Sequence, residues 1–151
     1  MKNPIRYACL LLLFVVSSTA HAQNETAVKP KLFTAFPEKI YCSLAELSKP
    51  FESNANKAIN LSFSDNFLFN GIVLSNVVKY SNLTSVVMKS AELDDAVFVL
   101  SKITTAEGVN YVGRIINEKY NDGYELKKDS NNNYQFVKIE TGKILQVCSE
   151  K

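Results

Sequence analysis

Residues 58–73 read Ala-Ile-Asn-Leu-Ser-Phe-Ser-Asp-Asn-Phe-Leu-Phe-Asn-Gly-Ile-Val, and their spacing decides the fold. Ile59, Leu61 and Phe63 alternate with polar residues. Phe67, Phe69, Gly71 and Val73 share one face of the run that follows. A period of two marks strands with one face turned to a core. The pattern continues through Ser85–Ser90, which holds Val86, Val87 and Met88, and through Val109–Ile116, Gly123–Lys127 and Tyr134–Ile139. Ala96–Leu100 is an unbroken apolar run, the pattern of a strand covered on both faces.

The breaks between these runs carry turn chemistry. They are Tyr80-Ser81-Asn82, Leu93-Asp94-Asp95, Ala106-Glu107-Gly108, Asn121-Asp122-Gly123 and Asp129–Asn133. Connections this short join antiparallel neighbours, because a parallel pair needs a longer crossover. The expectation is an α+β, mainly β, domain: an antiparallel meander of about six or seven strands with one short N-terminal helix.

That helix is placed at about Ser43–Phe51. Ser43-Leu44-Ala45-Glu46 fits a capping box, in which the Ser43 hydroxyl accepts from the Glu46 amide and the Glu46 carboxylate reaches back. Leu44, Leu47 and Phe51 follow at helical spacing, with Pro50 near the end. Upstream, Gln23–Leu32 is polar, carries Pro30 and reads as a flexible lead-in to a single globular domain over 33–151. Downstream, Lys143–Cys148 fits either a last strand or a helical turn.

Residues 1–22 have the form of a secretory signal peptide. Lys2 and Arg6 supply the positive start, Ala8–Val16 the apolar stretch, and Ala20-His21-Ala22 the small residues before a cut between Ala22 and Gln23. The apolar stretch is too short for a stable membrane anchor. The expected location is therefore secreted or periplasmic. Removing the signal lowers Lys plus Arg from 17 to 15 against 15 Asp plus Glu, so the basic balance vanishes and no electrostatic case for nucleic acid remains. Cys42 and Cys148 are then the only cysteines, and an even pair in an exported chain reads as a single disulfide.

The signal also takes the sole histidine, His21. Without it a Ser-His or Cys-His nucleophile pair cannot be assembled, nor a histidine zinc site. Five scattered glycines make no phosphate-cradling loop, and no cofactor is expected. Carboxylates alone suffice for glycoside hydrolysis, and Asp94-Asp95 is the one adjacent acidic pair, although a solvated turn accounts for both. Asp129, Asn131, Asn133 and Glu140 partly match the spacing of a calcium loop, but Tyr134 stands where the sharp bend needs glycine. A hairpin turn with asparagines in left-handed geometry explains that stretch better.

Tyr111, Tyr120, Tyr124 and Tyr134 suggest either a carbohydrate platform or core packing, and packing is the ordinary use of tyrosine on a half-buried sheet. Arg114, the one arginine after cleavage, has Glu125 as its natural salt-bridge partner. Sequons begin at Asn24, Asn60 and Asn82. These readings favour a non-catalytic binding or interaction module, inhibitor-like or pro-segment-like, with an extracellular or periplasmic protein as partner. The alternatives are a small-ligand carrier with a cupped sheet, marked by an apolar cavity of several hundred Å³, and a carboxylate-only hydrolase, marked by two carboxyl groups facing across a cleft.

Overall fold

The computed structural model describes residues 29–142, and they form one antiparallel sheet of eight strands, curled nearly into a barrel. The strands are β1 (Lys39–Cys42), β2 (Ala58–Ser64), β3 (Phe67–Tyr80), β4 (Leu83–Ser90), β5 (Ala96–Thr105), β6 (Gly108–Ile116), β7 (Asp122–Lys128) and β8 (Tyr134–Glu140). From β2 to β8 each strand pairs with the next, as the short turns require, and β1 returns to pair with β8.

The strand count of six or seven is therefore corrected to eight. The additional strand is β1. Four residues are too short to display a period, and only its register against β8, Ile40 opposite Phe136 and Cys42 opposite Tyr134, defines it. Helix α1 covers Leu44–Ser48 and passes into a 3-10 turn over Lys49–Glu52, so the expected single helix is split. The Ser43 hydroxyl accepts from the Glu46 N–H at 3.1 Å, as the capping box requires. The Glu46 carboxylate does not reach back. It accepts the Ser62 N–H at 3.0 Å and pairs with Lys49. One edge donor of β2 is thereby capped by a side chain, and β1 and β2 stop short of closing the barrel.

The inner face is filled with rings. Phe33, Phe67, Phe69, Phe98, Phe136 and Tyr124 are fully buried. Their neighbours meet them mostly edge to face, for example Phe98 on Phe136 at 5.4 Å and Phe63 on Phe136 at 4.9 Å. These are the favoured aromatic geometries. Alternation within each strand delivers them: Phe67, Phe69 and Val73 point inward from β3, Val86 and Met88 from β4, and Ala96, Phe98 and Leu100 from β5.

The N-terminal segment crosses the sheet before β1. The Asn121 N–H donates to the Pro30 carbonyl at 2.8 Å, and the buried Asp122 carboxylate accepts the N–H groups of Leu32 and Phe33. On the α1 side, Leu47 is buried, and the Phe51 ring packs 5.9 Å from Tyr111.

Cys42 is a buried free thiol. No disulfide is present among the described residues, because Cys148 lies outside them, as do the signal sequence with its Ala22–Gln23 cut and the Lys143–Cys148 segment. Among the described residues no helix is long and apolar enough to cross a membrane.

Candidate functional site

The residues that suggested chemistry are spread over the surface and engaged in local bonds. Asp94 and Asp95 both take left-handed backbone geometry, at φ 49° and 69°, in the turn between β4 and β5. Asp94 accepts from the Tyr120 hydroxyl at 3.0 Å and pairs with Lys119 at 3.3 Å, while Asp95 pairs with Lys89 at 3.2 Å. They face different partners and do not face each other.

Asp129 accepts the N–H groups of Asn131 and Asn133 at 2.8 and 2.9 Å, with Asn132 at φ 63°. This is the asparagine turn read from the sequence. Hydrogen bonding from Asn133 first, then Asn131, holds the Asp129 carboxyl below its ordinary range. Glu140 stands at the far end of β8, opposite Asp122, so the calcium-loop spacing is drawn out along a strand and never closes on itself. Among the described residues no group of three or more His, Cys, Asp or Glu side chains could hold a metal ion.

The tyrosines are mainly structural. Tyr124 is buried and donates its hydroxyl to the Pro37 carbonyl at 2.5 Å. The Tyr134 hydroxyl accepts the Tyr111 N–H at 2.9 Å, where the β6–β7 ladder has ended. Arg114 and Glu125 sit opposite each other across β6 and β7 and bond at 2.6 Å. Glu125 also takes Lys127 at 2.9 Å, and hydrogen bonds from Lys127 and then Arg114 hold its carboxyl below the usual range.

Two depressions mark the outer surface. One of about 300 Å³ lies around Arg114, Ile116, Asn117, Tyr120, Ile139 and Thr141. Gly123 stands opposite both Ile116 and Ile139 beside it. The other, of about 420 Å³, lies along Asn60, Asn70, Ile72, Leu74, Lys89 and Glu92, with Asn70 bonded to Glu92 at 2.9 Å.

The most distinctive surface is the outer face of β3–β6. Its residues lie in register. One row runs Val77, Ser85, Ser101, Val112, and the next runs Ser75, Val87, Val99, Arg114. Val99 is 37% exposed and Val112 is 50% exposed. The reading of Ala96–Leu100 as covered on both faces is corrected here: Ala96, Phe98 and Leu100 are buried, while Val99 opens to solvent. The hydroxyls of Ser85 and Ser101, 3.3 Å apart, complete each other's hydrogen bonding at the centre of the patch.

The patch continues toward the hairpin that ends β3, where Tyr80 is 69% exposed; Val78, in register with Thr84 and Lys102, is 70% exposed on the opposite side of the strand. Sequence reasoning did not single out this end. The signal was there in Val77-Val78-Lys79-Tyr80, where alternation gives way to adjacent apolar residues just before a turn. With this geometry in hand, comparison with protein-family models, with curated proteins and with solved structures finds no match to the chain.

Proposed function

We propose that the chain is an exported, non-catalytic interaction module that binds a protein outside the cytoplasm through the outer face of β3–β6. The observation that carries this reading is β5. It turns Ala96, Phe98 and Leu100 to the core and Val99 to solvent, where Val99 lies in register with Val87 and borders the row that carries the exposed Val77 and Val112. A contiguous apolar patch on a small domain is the usual mark of a contact surface.

Two further observations favour this reading over its alternatives. Fully buried rings occupy the interior that a carrier would keep for its ligand. The acidic pair that a carboxylate hydrolase would use is split between Lys119 and Lys89. The same proposal includes removal of residues 1–22 and a bond between Cys42 and Cys148, which suits an oxidising compartment.

The test is affinity capture with the chain from Gln23 onward and with its Val99→Lys variant, each immobilised and exposed to extracellular or periplasmic extract. The reading expects a stoichiometric protein on the parent chain that is lost on the variant. Equal capture by both chains, or no stoichiometric protein, contradicts it.

A further inference from the structure

Among the described residues β3 is the longest strand, at 14 residues, and its neighbour β2 covers only part of it. The β2 ladder ends at Ala58 opposite Ile72. One more contact follows: Val73 donates to the Lys57 carbonyl at 2.9 Å and accepts the Asn56 N–H at 2.7 Å. Both backbone groups of Val73 therefore face away from β4. On β4 the partners of Val73, Asn76 and Val78 are Met88, Val86 and Thr84, which are every second residue. In an antiparallel ladder such alternate positions share one sense. The N–H and C=O of Asn76 and Val78 consequently point to the same free side as those of Val73, and among the described residues no strand lies there.

A row of unpaired backbone groups is a template for one kind of occupant, another extended chain. The side chains beside it suit that occupant. Val77, Val78 and Tyr80 are all exposed. The Asn76 side chain anchors the edge from within, donating to the carbonyls of Phe51 and Ser53 at 3.0 and 2.9 Å, so the strand is held in place before any partner arrives.

The charges select among partners. Lys57 and Lys79 stand at the two ends of the free edge, both exposed and, among the described residues, in no ion pair. The adjoining 3-10 turn contributes one carboxylate, Glu52. Pairing with a second copy would bring both lysines of each copy to one seam. The bulges at Val73/Ser75 and Val78/Tyr80 also twist the edge away from the flat match that self-pairing needs. A flexible peptide can follow that twist, and carboxylates on it would meet the lysines.

Resting on the interaction reading above, we propose that the partner contributes an extended acidic segment. It adds as a further strand along Ser75–Tyr80, bonded to the backbone of Asn76 and Val78 and flanked by Lys57 and Lys79.

The test uses the full mature chain and a labelled peptide of alternating valine and threonine with an aspartate at each end. A lysine-ended peptide serves as its counterpart. Binding is read by fluorescence anisotropy, and amide exchange is followed residue by residue. The proposal expects slowed exchange at Asn76 and Val78. It also expects affinity for the aspartate-ended peptide to exceed that for the lysine-ended one by about tenfold or more, with this order narrowed or reversed by Lys79→Glu. Val78→Pro should lose binding, because proline removes an edge donor that the chain's own ladder does not use, whereas Val78→Ala should keep it.

Absence of peptide binding, protection elsewhere on the sheet, or full binding by Val78→Pro overturns strand addition. If Val78→Pro is unfolded, the Lys79→Glu charge swap and the exchange map decide. A protein captured alike by the parent and Val78→Pro chains but lost with Val99→Lys overturns strand addition and leaves the interaction reading standing. Loss of capture altogether removes both.

Discussion

Asp122 accepts the backbone N–H of Phe33 at 2.9 Å, and its second carboxylate oxygen accepts that of Leu32 at 2.7 Å. The carboxylate is buried, so two charge-assisted bonds fasten residues on opposite sides of the sequence. They seat the Phe33 ring 5.1 Å from Tyr124 and 6.3 Å from Phe67. Asp122→Ala leaves two N–H groups without their acceptor and should cost about 3 kcal/mol. Asp122→Asn, which keeps the shape and one acceptor oxygen, should cost less. Urea unfolding midpoints check this order, and an unchanged midpoint for Asp122→Ala contradicts it.

Gly123 is held by backbone contact. A Cβ there would lie 2.6 Å from the Ile115 carbonyl oxygen, a closer approach than van der Waals contact permits. Gly123→Ala should therefore push β6 from β7 and destabilise by about 1–3 kcal/mol. Equal thermal midpoints for the two chains would show that the strands part without strain.

Acid should weaken the fold partly through Glu125. Lys127 and then Arg114 hold its carboxyl below the ordinary value. A carboxyl lowered on folding contributes stability in full above its unfolded value of about 4.3, and that contribution disappears as pH falls through the lower folded value. The side chain is partly exposed, so solvent screening keeps the effect modest. Midpoints measured from pH 7 down to pH 3 should fall less steeply for Glu125→Gln than for the parent chain. Parallel profiles would remove Glu125 from the acid response.

Much of the sheet was legible because barrel-type packing preserves a strict period. Phe67, Phe69 and Val73 alternate in sequence and do point inward together. The turn at Asp129–Asn133 was legible because Asn tolerates the left-handed geometry that Asn132 adopts. β1 was hidden because long-range pairing to β8, and no local pattern, makes it a strand. The outer face of β5 was misread for a related reason. Val97 and Val99 carry the same letters whether a cover exists or not, and only the three-dimensional arrangement shows Val99 open. The free edge of β3 was equally invisible, since it depends on where β2 ends.

Cys42 gives a test of compartment. Burial pushes its thiol up to about 12, against a smaller opposing pull from hydrogen bonding at Phe136. A free Cys42 should thus react slowly with thiol reagents near neutral pH until the chain unfolds. Cys42 lies opposite Tyr134 at one end of β8, and Gly142 follows the other end. If residues 1–22 are removed and the two remaining cysteines bond, the oxidised chain has no titratable thiol even in denaturant, and reduction lowers its stability by about 4–5 kcal/mol. Two titratable thiols in unfolded, unreduced protein would contradict the bond.

The central claim, a protein partner seated on the β3–β6 face and its hairpin, is tested most directly by photo-crosslinking in the cell that makes the protein. A photoreactive phenylalanine analogue placed at the exposed Tyr80 should trap one protein of discrete mass. The same analogue at Asp65, exposed in the turn between β2 and β3 at the other end of the β3 strand, should trap none. No adduct at Tyr80, or the same adducts from both positions, would contradict the account.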